Sequence, residues 1–256
     1  MLLRLRPTRL PAGLALAALV LPAVALAQPG PRNLLEIEGI SATQIRNSAA
    51  VPNDAPGSRF SIRGLAGDGP VTGVRVAYTR TLTPTQELVL LYAPLSVSGT
   101  GVLAGTTPFQ GVTFAGGTAT TVDYRFDSYR ATWRYTLVDS PDWTFKLGAT
   151  AKIRDARIAL AQGGVSAEKS NTGFVPLLHA YAERRLGERW TLVGDVDALA
   201  GGPGRAIDAG LRVRWLLTPS WSVQGGWRIL DGGVDTREQF NFARFTSWTL
   251  GVAVRF

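Results

Sequence analysis

Trp248-Thr249-Leu250-Gly251-Val252-Ala253-Val254-Arg255-Phe256 ends the chain, and it alternates without a break. Side chains of a strand point to opposite faces in turn, so Trp248, Leu250, Val252, Val254 and Phe256 share one face and Thr249, Gly251, Ala253 and Arg255 the other. One face is apolar and the other small or polar. The same period recurs upstream. Trp143, Phe145, Leu147, Ala149, Ala151 and Ile153 alternate with Thr144, Lys146, Gly148, Thr150, Lys152 and Arg154. Ile207, Ala209, Leu211, Val213 and Trp215 oppose Asp208, Gly210, Arg212 and Arg214, and Trp221, Val223, Trp227 and Ile229 oppose Ser222, Gln224 and Arg228. No helical period interrupts this pattern after residue 33, and clusters of Gly, Pro, Asn and Asp separate the runs. The chain is all-β by this reading.

The runs predict strands at 33–46, 58–82, 86–97, 122–137, 143–160, 173–185, 190–200, 205–216, 221–230 and 242–256. That is ten, an even number, as bacterial single-chain membrane barrels have. Eight is the alternative, because the run 58–82 is broken by Gly64, Gly67, Gly69 and Pro70, which could mark a bulge or a hairpin. Tight turns fall at Thr83-Pro84-Thr85, Asp139-Ser140-Pro141-Asp142, Leu186-Gly187-Glu188-Arg189 and Thr218-Pro219-Ser220. Longer connections are expected at 98–121, 161–172 and 231–241, with Gly201-Gly202-Pro203-Gly204 the short exception. Outer-membrane barrels have short periplasmic turns and longer external loops, which orients the chain.

A soluble barrel has the same alternation with its apolar face inward, so a further signal is needed. Trp143, Trp190 and Trp221 each open a strand just after a proposed periplasmic turn, and Tyr135 and Trp215 lie just before one. Aromatic residues at that level are the girdle of a barrel wall in lipid. Lys146, Lys152, Arg154, Arg212, Arg214 and Arg228 fall on the opposite face, which is expected to be a narrow lumen filled with charge. The fold class is therefore a transmembrane antiparallel up-and-down β-barrel.

The first residues read as a secretory signal peptide over 1–27, with the barrel as one domain over 28–256. Arg4, Arg6 and Arg9 precede an apolar stretch, Leu14 to Leu26, and Ala25-Leu26-Ala27 fits the small-x-small cleavage pattern. Pro22 and its shortness argue against a membrane anchor. Removal of three arginines and no acid takes the formal net charge from +8 to +8 − 3 = +5. Cysteine is absent, so an exported protein here is held without disulfides. A basic stripe with a nucleic-acid reading motif is lacking, and export argues against such a partner.

The alternating C-terminal strand ending in Phe256 resembles the terminal signature of bacterial outer-membrane proteins. The mature chain further resembles the small Gram-negative outer-membrane β-barrels, many without assigned function. Tyr124-Arg125-Phe126-Asp127-Ser128-Tyr129-Arg130 and Ala206-Ile207-Asp208-Ala209-Gly210 have the look of that group's strands. The resemblance implies location in the outer membrane, contact with its lipid and lipopolysaccharide, and recognition of the Phe256 strand by the barrel-assembly machinery. It carries over no catalytic residues.

Three groups merit a chemical reading. His179 is the only histidine and shares strand parity with Tyr181 and Glu183. A hydrolase similar to the lipid A deacylases would want a serine beside it, where Ala180 and Tyr181 stand. A protease of the omptin type would want acids and a histidine at the external rim, whereas His179 sits mid-strand. Asp195, Asp197 and Asp208 share one face and could act as acid and base or gather a cation. Salt bridges to the lumenal cations account for them as well, since buried charges are paired by default. Gly201-Gly202-Pro203-Gly204 lacks a following helix and reads as a surface turn. No catalytic, cofactor-binding or metal-ligating residue is assigned: one histidine and no cysteine make a poor donor set. The expected function is structural or interactive in a monomeric barrel. A small porin-like channel of weak anion preference and an outer-membrane lipid or peptide hydrolase are the alternatives. Across the closing seam, Glu36 and Glu38 are expected to face the lumen and meet Arg255 or Arg75.

Overall fold

The computed structural model describes residues 32–256, so the expected signal peptide lies outside the described residues. In chain order the elements are β1 (Asn33–Ala50), β2 (Phe60–Ser61), α1 (Ile62–Ala66), β3 (Val71–Thr83), β4 (Gln86–Ala93), β5 (Ser96–Val102), β6 (Thr107–Phe109), β7 (Val112–Phe114), β8 (Ala119–Asp139), β9 (Trp143–Gln162), β10 (Val165–Arg185), β11 (Trp190–Gly201), β12 (Gly204–Leu216), β13 (Trp221–Asp235) and β14 (Phe240–Arg255). Twelve strands form one antiparallel sheet, and β14 pairs back onto β1, so the sheet closes. Here β2 is a two-residue stub and β5 prolongs β4 along the edge of β8, which leaves 12 − 2 = 10 staves. Closure is in continuous register from Leu34↔Arg255 to Gln44↔Phe245, followed by a bulge at Ile45. Closure of β14 on β1 leaves no free edge strand at the seam, the condition under which strands can span a membrane.

The tight turns fall where the sequence puts them, and Trp143, Trp190, Trp215 and Trp221 all face outward at that end. Trp190 and Trp215 are cross-strand partners with stacked rings 5.7 Å apart. The run 58–82, however, is not a strand. It holds β2, the five-residue helix α1 and only then β3. Ser61 caps α1 by accepting a hydrogen bond from the Gly64 amide at 2.9 Å, and Ile62 and Leu65 are buried. A single helical turn is too short to show a period, which hid it. It lies so close to β5 that a Cβ at Gly99 or Gly101 would come within 2.7 Å of the backbone of Ala66 or Leu65, so only glycine fits there.

The external connections also differ from expectation. Residues 161–172 form no long loop: β9 and β10 run on to a two-residue turn at Gly163-Gly164. Residues 98–121 contain the rest of β5 and the β6–β7 hairpin, whose Phe109 and Phe114 are fully buried. The strands thus continue beyond the bilayer. Their two faces exchange polarity as they leave it. On β8 the lower outward residues are Tyr129, Trp133 and Tyr135 against inward Arg130 and Arg134. Above them the outward residues are Asp123, Arg125 and Asp127 against inward Val122, Tyr124 and Phe126. On β9 outward Leu147 and Ile153 give way to Asp155 and Arg157, while inward Lys146 and Lys152 give way to Ile158 and Leu160. On β14 outward Trp248 and Leu250, 71% and 74% exposed, give way to Arg244, while Phe245 turns inward. From Trp221 up to Asp231 is ten residues, about 25 Å at the usual strand rise and tilt, which is the height of a barrel's apolar band.

Candidate functional site

This exchange divides the lumen. In the membrane half, seven carboxylates, Glu36, Glu38, Glu87, Glu183, Asp195, Asp197 and Asp208, meet seven cations, Arg75, Arg130, Arg134, Lys146, Arg212, Arg214 and Arg228. Asp197 and Asp208 are opposite each other on β11 and β12. Arg130 bridges them, with Nη1 donating to Asp197 at 2.8 Å and Nη2 to Asp208. Asp195 accepts from Arg212 and from Arg228, each at 2.5 Å. All three aspartates are thus held in ion pairs with lumenal arginines. Glu36 faces the lumen as expected, but its partners are Arg214 at 2.7 Å, Gln224 at 3.1 Å and Arg212 at 3.3 Å rather than Arg255. Glu38 reaches Arg75 at 3.9 Å. The narrow interior lets an acid on β1 reach across to β12, which a pairing rule limited to neighbouring strands misses.

His179 has inward parity, and its Nδ1 lies 2.8 Å from an Asp197 oxygen. Its Nε2 has no protein partner among the described residues, and His179 lines a cavity of about 30 Å³, room enough for a water. The hydroxyl at the same carboxylate is Thr150, which donates to Asp197 at 2.6 Å. Among the described residues no serine, threonine or cysteine is hydrogen-bonded to the imidazole, whose partner is the Asp197 carboxylate.

Above the network the expected charged lumen is absent. Phe60, Ile62, Leu65, Phe109, Phe114, Val122, Leu160 and Phe245 form an apolar core on the β1, β8 and β14 side. On the β10 to β13 side lies a cavity of about 550 Å³, lined chiefly by Tyr124, Phe126, Leu177, Leu199, Leu230, Val234 and Phe245, with Lys152, Arg154 and Asp208 among its polar members. Asp208 is engaged by Arg130 and Arg228. Lys152 is 3% exposed, its Nζ lies 4.8 Å from the Phe126 ring centroid, and it meets no carboxylate at ion-pair distance among the described residues. Arg154 donates to the Asn171 side chain and likewise has no carboxylate. Strand parity places both in the lumen, but it does not give distances across a lumen and so carries no sign that they lack acids.

The cavity opens sideways. β10 has 21 residues and β11 only 12, and their pairing stops at Leu178↔Ala198. Beyond that pair β11 turns into β12 through Gly202, whose φ of 55° suits glycine, and Pro203. β10 continues alone on that side. Pro176, lacking an amide proton, stands where β11 departs, as sheet prolines are confined to edges. Val175 and Leu177 on one side, Leu199 and Gly201 on the other, line the notch. Phe174 and Leu178, each 68% exposed, flank it outside.

On the outer wall, register aligns Ile207, Asp231, Arg244 and Arg46 in one row at the top of the apolar band. Asp231 is clasped by Arg244 at 2.8 Å, Arg205 at 3.1 Å and Arg46 at 3.5 Å. Three guanidinium groups thus share one carboxylate.

A closed ten-staved barrel with an aromatic-edged apolar band outside and a salt-bridged interior is an outer-membrane β-barrel, the class the sequence points to. Among solved structures it is similar to the outer membrane protease OmpT from Escherichia coli, with a TM-score of 0.56, 11% identity, and 91% of this chain and 99% of that chain covered. It also matches Neisserial surface protein A, at TM-score 0.38, 12% identity and 88% and 97% coverage. The translocator domain of autotransporter NalP from Neisseria meningitidis matches at TM-score 0.42, 11% identity and 90% coverage of each chain. These likenesses are of fold alone. No family model matches the chain, and no curated protein matches it.

Proposed function

We propose that this protein is a non-conducting outer-membrane barrel that binds a ligand from the external side. The observation that carries the reading is the divided lumen: a matched ion-pair network fills the membrane half, and an apolar cavity of about 550 Å³ stands open above it. That volume is in the range of small-molecule sites, roughly 300 to 1,000 Å³. A channel would need a continuous polar path, and breaking a buried network of seven acids and seven cations to make one is too costly for an ion to drive. A hydrolase would need a nucleophile at His179. The expected result in planar bilayers is no discrete conductance. In lipid nanodiscs, the neutral apolar probe 1-N-phenylnaphthylamine should give saturable fluorescence enhancement above that of empty discs. Stable single-channel steps, or no saturable component, would overturn the reading.

A second contact is favoured by the outward arginine row. Three guanidiniums around one acid leave most of their donors free, and arginine forks suit phosphate oxygens. They lie where the outer leaflet's phosphates would be, so lipopolysaccharide is the partner proposed. Purified with bound lipid, the wild type should retain bisphosphorylated lipid A in native mass spectrometry. Arg46→Gln, Arg205→Gln and Arg244→Gln combined with Asp231→Asn should lose it, and equal retention would exclude the contact. Phe256, exposed at the end of the last strand, supports recognition by the assembly machinery.

A further inference from the structure

We propose that the external cavity takes an anionic single-chain amphiphile, such as a fatty acid, with the acid group on Lys152 and Arg154 and the chain along the apolar wall. This rests on the ligand-binding reading above and names the ligand's chemistry.

The argument begins with charge matching. Each of the seven cations of the network has a carboxylate, and the seven carboxylates are used in return. Lys152 and Arg154 are left over, and both line the cavity rather than the network. Desolvating a cation without a counter-charge is expensive. Met or Leu at position 152 would continue the apolar lining at no such cost. A ligand carboxylate would supply the missing charge, and the weakly polar surroundings would strengthen the attraction.

The rest of the cavity selects the tail. The Phe126 ring lies against the Lys152 ammonium, and Leu177, Leu230 and Phe245 extend the apolar wall. A polar anion such as phosphate or a sugar acid would leave that wall without a partner and bring hydroxyls with nothing to bond. A neutral hydrocarbon would fit the wall but leave the cations bare. Only a molecule with an anionic end and an apolar body satisfies both. The notch between β10 and β11 gives such a molecule access from the outer leaflet, where amphiphiles partition. From Val165 to Leu177 β10 pairs with β9 but has no β11 partner, which leaves that side of the wall open.

The test compares laurate with methyl laurate as displacers of 1-N-phenylnaphthylamine from the protein in zwitterionic nanodiscs. The two share a chain and differ in charge. The acid should displace the probe at least about tenfold more effectively, the weight of one charge-assisted hydrogen bond in a dry site. Lys152→Met should bring the acid-to-ester ratio close to one, and Lys152→Arg should keep it high. Equal displacement by acid and ester in the wild type, which involves no variant and no question of folding, would overturn the proposal while leaving the ligand-binding reading intact. Persistence of the full preference in Lys152→Met would remove Lys152 from the site. Failure of the neutral probe itself to bind would instead refute the earlier reading.

Discussion

Arg130→Met should destabilise the barrel by about 3–5 kcal/mol, the usual cost of removing one partner from a buried ion pair. Arg130 is buried and joins two aspartates that register places side by side, Asp197 and Asp208. Its loss leaves two carboxylates facing each other with a methionine between them. Asp208 keeps Arg228, and Asp197 keeps only His179 and Thr150. Repulsion should therefore be relieved chiefly at Asp197. Asp197→Asn added to Arg130→Met should recover a substantial part of the lost stability, whereas Asp197→Asn alone should be destabilising. Unfolding free energies by urea titration in micelles would give the cycle. Additive effects, within the roughly 0.3–0.5 kcal/mol expected of independent sites, would mean that the bridge is not the organising contact of the network.

Lys152→Met should act in the opposite direction and stabilise the unliganded barrel by about 1–3 kcal/mol, since it replaces an unmatched buried cation with an apolar side chain of similar length. The contact of the ammonium with Phe126, worth roughly 0.5–2 kcal/mol, offsets part of that gain. Saturating laurate should reverse the ranking: at one hundred times its dissociation constant a ligand adds about 2.7 kcal/mol to the wild type. Paired melting curves with and without laurate would show the crossing. A destabilised, ligand-indifferent Lys152→Met would mean the lysine is a structural element of the wall. Stability given up for a charged group in a cavity is what a functional site is expected to cost.

Much of the membrane half was legible because the side-chain period of a strand is two and the bilayer demands one apolar face. Trp143, Trp190 and Trp221 after short turns fixed the wall, and the parity of Lys146, Arg212 and Arg228 fixed the lumen. The external half was misread for the same reason. In Tyr124-Arg125-Phe126-Asp127-Ser128-Tyr129-Arg130 the apolar positions shift from even to odd with no residue inserted. Alternation counted run by run hides such a change of phase, and loop lengths were then overstated where strands continue. Following the sign of the alternation along each strand would have exposed the boundary at Asp127, Asp155 and Arg244. The cavity had a fainter signal. Pro176 in an otherwise regular strand marks a sheet edge. Which cation lacks an acid depends on distances across the barrel, and no local pattern carries that.

The exchange of faces also sets the depth at which the barrel floats. A uniform alternating strand could ride up or down in the bilayer by two residues and still present an apolar face to lipid. Here an inward slide would carry Asp155, Arg125 and Arg244 into hydrocarbon, and an outward slide would pull the tryptophans off the opposite interface. A cation on a barrel's lipid face costs about 2–4 kcal/mol at the bilayer centre, an acid less, and either little at its border, so the penalty grows with each step. The chain therefore holds its vertical position through side chains on several strands at once, and the mouth of the notch stays level with the outer leaflet.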